Sequence, residues 1–229
     1  MKQPERSAFY QGQLDVFCAA YAVLNALRLL HGLRPLEARL LLHEALRDIA
    51  RDPIVFQTAL DQRTDYVEWV DAMLERQIRR GGLCVHTPFA RAPKPGLGID
   101  GGTPSPWRAS GKDNAGAPEQ ASGQAGDAPG PDPETLWRTL TAWLTGGEAR
   151  CALFQFIRFA PVGHGLIRHW TCCSGVEDEE LVLYDCSREP GALTRIARCR
   201  LITDETARAA ENVLIPPHTA RLIRSRLES

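Results

Sequence analysis

A chain of 229 residues is long enough for one domain with a true core, or for one domain carrying a large insertion. Charged residues make up 24% and hydrophobic residues 44%, the balance of a soluble globular protein, and the formal net charge of −1 leaves no basic excess to point to nucleic acid or anionic membrane. No apolar run approaches the roughly 20 residues that span a bilayer, and the opening MKQPERSAFYQGQ lacks the apolar core of a secretory signal, so a cytosolic protein without a membrane span is expected.

Residues 14–31 predict a buried helix, because apolar residues surround almost the whole cylinder; Gly32 follows as its C-cap. A second, amphipathic helix is predicted over 35–50, with Leu36, Leu40, Leu41 and Leu46 on its apolar side. A short helix over 53–61 precedes another over 64–80, which carries Val67, Val70, Leu74 and Ile78 at helical spacing and stops at Gly81-Gly82. LCVHTPF (83–89) reads as a strand.

The texture then changes. Residues 92–133 hold nine glycines and eight prolines in 42 positions, with Leu97, Ile99 and Trp107 as their only large apolar side chains. Such a stretch buries too little surface to offset its ordering entropy, and it reads as a flexible insertion between two halves of one domain. Asp132 and Pro133 then predict a capped helix start, followed by Leu136, Trp137, Leu140, Trp143 and Leu144 as its buried side. Strands are predicted at 151–159, 169–176 and 180–187, the last two joined through EDEE as a hairpin, with a further strand at 197–203. The tail from 204 reads as a helix, a Pro216-Pro217 break and a basic helical end. Helices first and antiparallel strands afterwards make an α+β pattern with segregated layers.

The chain has seven cysteines without a paired CxxC spacing, so neither a zinc site nor a full disulfide framework is expected. Cys84, Cys151, Cys172 and Cys173 read as buried thiols. Cys18 differs. A thiol becomes a good nucleophile once a helix N-terminus or a neighbouring histidine favours its thiolate. With Asp15 as N-cap, Cys18 falls in the first turn of the buried helix. Of six histidines, His169 begins a strand, and sixteen residues later the partner strand presents Asp185. That hairpin lets Asp185 orient one ring nitrogen while the other meets a thiol, the logic of a catalytic triad.

YQGQLDVFCAAYAVLNAL resembles the nucleophile helix of papain-like cysteine peptidases, in particular the bacterial C39-like group, and HWTCCSGVEDEELVLYDCS resembles that group's histidine and aspartate hairpin. The resemblance covers two segments. It implies a papain-like fold, with a helical half bearing the nucleophile packed on a C-terminal antiparallel sheet. It also implies Cys18 as nucleophile, His169 as base and Asp185 as orienting acid. The oxyanion glutamine is Gln13 or Gln11, five and seven residues before Cys18, and Gln13 is preferred because it is nearer the helix. Ala19 stands where many members have glycine.

The expected function is a cysteine hydrolase, a peptidase or isopeptidase-like enzyme acting on a protein or peptide substrate through a thioester, with no metal or organic cofactor required. Two alternatives use the same residues: a transglutaminase-like or acyltransferase-like enzyme in which another acceptor replaces water, and a non-catalytic papain-like interaction module.

Overall fold

The computed structural model describes residues 7–10, 17–61, 66–89, 130–147, 149–159, 165–187, 192–207 and 210–226. Their architecture is α+β: helices against a mostly antiparallel sheet. The helices are α1 (Cys18–His31), α2 (Pro35–Ile49), α3 (Pro53–Leu60), α4 (Val67–Arg79) and α5 (Pro133–Leu144). The strands are β1 (Leu83–His86), β2 (Arg150–Phe159), β3 (Leu166–Glu177), β4 (Glu180–Leu183), β5 (Arg195–Ala197), β6 (Leu201–Ile202), β7 (Val213–Leu214) and β8 (Arg221–Ser225). The sheet runs β1-β8-β2-β3-β4-β5, with β7 pairing β2 and a short parallel β6–β7 pair beside it. None of the described helices is long and apolar enough to cross a membrane.

Two apolar cores lie on the sheet. Along β2, Cys151 and Leu153 join the cluster formed with α1 and α4, whereas Ala152, Phe154 and Phe156 join the one formed with α5. Alternate residues of one strand thus serve opposite faces, as pleating requires, and β2 is buried almost throughout, as befits a central strand covered on both sides. In α1, Ala19, Ala20, Ala22 and Ala26 are buried. Small side chains there let the helix axis lie close over β3 and β2. Gly32 ends α1 in the left-handed region at φ 67°, its N–H donating to the Arg28 carbonyl. Asp132 caps α5 as expected, accepting from the Thr135 N–H at 2.7 Å.

Several elements differ from the sequence expectation. Helix α1 starts at Cys18, with Phe17 in the N-cap position and no side-chain cap, and not at a turn capped by Asp15, which lies outside the described residues. In α2 the buried positions are Ala38, Ala45 and Ile49, and Leu41 and Leu46 pack against the core as expected, while Leu36 and Leu40 are exposed. The strand expected over 180–187 ends at Leu183, because β4 leaves the ladder there, and Asp185 lies in the irregular segment beyond. The β3–β4 turn places Asp178 and Glu179 at φ 47° and 60°, the left-handed conformation that tight hairpins need.

The largest difference is the tail. In place of a basic helix, the described part of 204–226 holds two 3-10 turns and two strands, and β8 sits between β1 and β2 in the sheet. Leu222 packs into the α5-side core and Ile223 into the α1-side core, so consecutive residues bury on opposite faces. Arg221 is buried and forks onto both carboxylate oxygens of Asp71 on α4, at 2.6 and 2.8 Å. A charge satisfied in this bidentate way is compatible with an interior strand, which composition alone does not reveal. Of the segment 92–133, all but residues 130–133 lies outside the described residues.

Candidate active site

Helix α1 delivers Cys18 to the point where β3 and β4 separate. The last backbone bond between them is donated by the Tyr184 N–H to the Cys172 carbonyl at 2.7 Å. Two residues earlier on β3, the Trp170 N–H donates instead to Cys18 Sγ at 3.5 Å. As the first residue of α1, Cys18 also lies where helical N–H groups have no helical acceptor and where the helix dipole favours negative charge.

His169 precedes Trp170 on β3, and its ring packs 5.4 Å from that of Phe156, its partner across the ladder. Its Nε2 lies 3.0 and 3.1 Å from the two oxygens of Asp185. Asp185 is in turn fixed by the Ser187 N–H, which donates to Oδ1 at 2.6 Å. The side chains of His169 and Asp185 are only 13% and 7% exposed, so water screens their attraction little. Burial by itself would push the His169 imidazole down. Hydrogen bonds from the ring to Asp185, Cys18 and Cys186, with the charge of a Cys18 thiolate, outweigh it and hold the imidazole well above 6.5. The described contacts to Asp185 and Cys186 fall on Nε2.

Sequence reasoning passed over Cys186. Its sulfur lies 3.6 Å from His169 Nε2. Burial pushes its thiol up to about 11, against the smaller lowering effect of His169, so it stays protonated at neutral pH. Burial likewise pushes Cys173 up to about 12 and Cys172 well above the ordinary thiol range. These thiols are poor nucleophiles. The signal for Cys186 was its place next to Asp185, which matters only once β4 has ended and the chain turns both side chains toward one histidine. His169, Asp185 and Cys186 also form the cluster among the described residues whose donor atoms could hold a metal ion.

Gln13 and Gln11 both lie outside the described residues. The backbone on their N-terminal side is described at 7–10 and is clamped to α1. Fully buried Asn25 accepts from the Phe9 N–H at 2.7 Å and donates to the Phe9 carbonyl at 3.2 Å. Arg28 donates to the Ser7 carbonyl at 2.6 Å, and its guanidinium lies over the Phe9 ring. One side of α1 thus holds the chain that leads toward the glutamines. No family model matches this chain, and neither does any curated protein or solved structure.

Proposed function

We propose that the chain is a papain-like cysteine hydrolase, a peptidase or isopeptidase-like enzyme. The observation that carries this reading is that Cys18, at the start of a buried helix, accepts from the N–H of Trp170, the residue next to a histidine whose Nε2 is held by both oxygens of Asp185. An imidazole held well above 6.5 beside a thiol favours the imidazolium–thiolate pair, which is the reactive form of a cysteine nucleophile.

In this reading His169 takes the Cys18 proton at Nδ1, and Asp185 keeps the ring oriented and stabilises the imidazolium. The thiolate attacks the carbonyl carbon of a peptide or isopeptide bond. The oxyanion is met by the Cys18 N–H and by the amide of Gln13. Collapse of the tetrahedral species expels the amine, which takes the proton from His169, and leaves a thioester. Water, deprotonated by His169, releases the carboxylate. Asp185 carries no transferred proton in this cycle.

Alkylation tests the premise without a known substrate. With site-resolved mass spectrometry, Cys18 is expected to react with iodoacetamide at neutral pH faster than a free thiol and faster than Cys186 in the same molecule. His169→Ala is expected to remove the excess. A wild-type Cys18 no faster than free thiol sinks the reading. C-terminal electrophile probes on peptide and ubiquitin-like scaffolds, with Cys18→Ala as control, then identify the substrate class.

A further inference from the structure

Cys186 has no part in the hydrolytic cycle, yet it sits against the catalytic histidine in a buried centre. We propose that His169 Nε2, an Asp185 carboxylate oxygen and Cys186 Sγ form a binding site for a thiolate-preferring divalent cation, Zn²⁺ foremost, and that its occupation switches Cys18 off. The metal site stands on its own geometry; the switch rests on the cysteine-hydrolase reading.

The three donor atoms all lie within 4.8 Å of one another. Bonds of about 2.0–2.1 Å to nitrogen and about 2.3 Å to sulfur put the N and S donors of a tetrahedral zinc about 3.5 Å apart. Cys186 Sγ and His169 Nε2 are 3.6 Å apart. The Nε2–Oδ1 distance of 3.0 Å opens by a few tenths of an ångström to admit the ion. The set of imidazole, thiolate and carboxylate is one that zinc accepts, and three protein ligands leave the fourth tetrahedral position to water. No CxxC spacing announces the site, because the histidine comes from β3 and the other two ligands from the segment after β4.

The balance is simple. Zn²⁺ replaces the thiol proton of Cys186, which leaves to solvent, and forms the Zn–S bond. The Asp185 carboxylate moves from the ring N–H to the metal. The imidazolium loses its Nε2 proton, also to solvent, and coordinates as the neutral ring through Nε2, so its single remaining proton sits on Nδ1. Zn²⁺ with one thiolate, one carboxylate and a neutral imidazole sums to zero charge, which suits a buried position. The same event disables the base. A ring held neutral by the metal no longer offers the positive charge that pairs with a Cys18 thiolate, so Cys18 takes up a proton from solvent, Nδ1, already protonated, cannot remove it, and Asp185 is withdrawn from its orienting role.

The experiment uses the untagged full chain, stripped of metal and kept reduced. Co²⁺ is added as a spectroscopic probe, and Zn²⁺ affinity is measured by competition with a chromophoric chelator. One ion per chain is expected, with a thiolate-to-Co²⁺ charge-transfer band and the visible bands of a tetrahedral ion. Cys18→Ala is expected to keep both the band and the affinity. Cys186→Ser is expected to lose the band and to weaken Zn²⁺ binding by more than about a hundredfold, beyond what loss of a group outside the ligand set usually costs. Zn²⁺ is also expected to slow alkylation of Cys18, with EDTA restoring it. The metal site is overturned if the wild type shows no band, if the band survives Cys186→Ser, or if it vanishes in Cys18→Ala. Should Cys186→Ser not fold, the wild-type and Cys18→Ala spectra still decide. An ion that binds as described but leaves a fast Cys18 unslowed overturns the switch alone, whereas a metal-free Cys18 no faster than free thiol overturns the hydrolase reading and leaves the site standing.

Discussion

The two faces of the sheet are built for different tasks. On the α5 side the smaller of the two cores is built of large apolar side chains: Leu136, Trp137, Leu140, Phe154, Phe156, Leu181 and Leu222. Around it lies a rim of partly exposed ion pairs, Arg198 to Glu134 and Glu179, and Arg195 to Glu177 and Glu180. Such exposed pairs add little stability; burial does the holding there. On the α1 side the core contains alanines, and within it lie Cys18, Cys186 and, fully buried, Asn25. Polar and reactive groups in an interior cost stability unless hydrogen bonds satisfy them. The candidate site touches both faces: Cys18 and Cys186 belong to the α1-side core, while the His169 ring packs on Phe156 of the α5-side core.

Substitutions on the two faces are therefore expected to separate chemistry from stability. The largest effect is on the α1 side. Cys18→Ala is expected to remove turnover, a loss of at least about 10⁴-fold as for other catalytic nucleophiles, with little change in melting temperature. Wild-type turnover by that variant would end the assignment. His169→Ala comes close behind, and Asp185→Asn is expected to reduce kcat less, because the carboxylate orients the ring and moves no proton. Equal or greater damage from Asp185→Asn would give Asp185 a further role in holding the segment after β4.

On the α5 side the expected pattern reverses. Leu140→Ala removes a fully buried side chain and is expected to cost about 2–5 kcal/mol of unfolding free energy. Urea titration measures the loss, and the alkylation rate of Cys18 per folded molecule is expected to stay unchanged. A parallel fall in that rate would mean that the two faces are coupled.

The smallest effect is one of pH. The folded imidazole of His169 is held above its unfolded value, so its contribution to stability is fully present below about pH 6.5 and is lost as pH rises through the folded value. An NMR titration of the His169 ring measures that value directly. In Cys18→Ala the raising influence of the thiol is gone, and the titration is expected to move to lower pH. An unchanged titration would place Cys18 too far from the ring to act on it.

The sequence made the helices, the capped start of α5 and the order of the β2–β3–β4 meander legible, because each has a local cause: apolar spacing, a cap, alternation. The juxtaposition of His169 and Asp185 was legible too, since a hairpin brings together residues that its turn relates by sequence. Three features were not. The rotation of α2 depends on which side its neighbours cover, and it turns Leu36 and Leu40 outward while Ala38, Ala45 and Ile49 are buried. Strand β8 hides behind Arg221, whose partner Asp71 lies 150 residues away. Cys186 gains its place only because β4 stops at Leu183 and the chain turns in toward β3.

The position of β8 also orders events in time. It forms the middle of the sheet, between β1 and β2, and Ile223 closes the same core that receives Cys18. Residue 18 is translated some two hundred residues before residue 223. A nascent chain that has reached residue 220 carries Cys18 but not the strand that completes the sheet beneath α1. Contacts so distant in sequence form slowly and late. The sheet on which α1 rests is thus closed only once synthesis has passed β8.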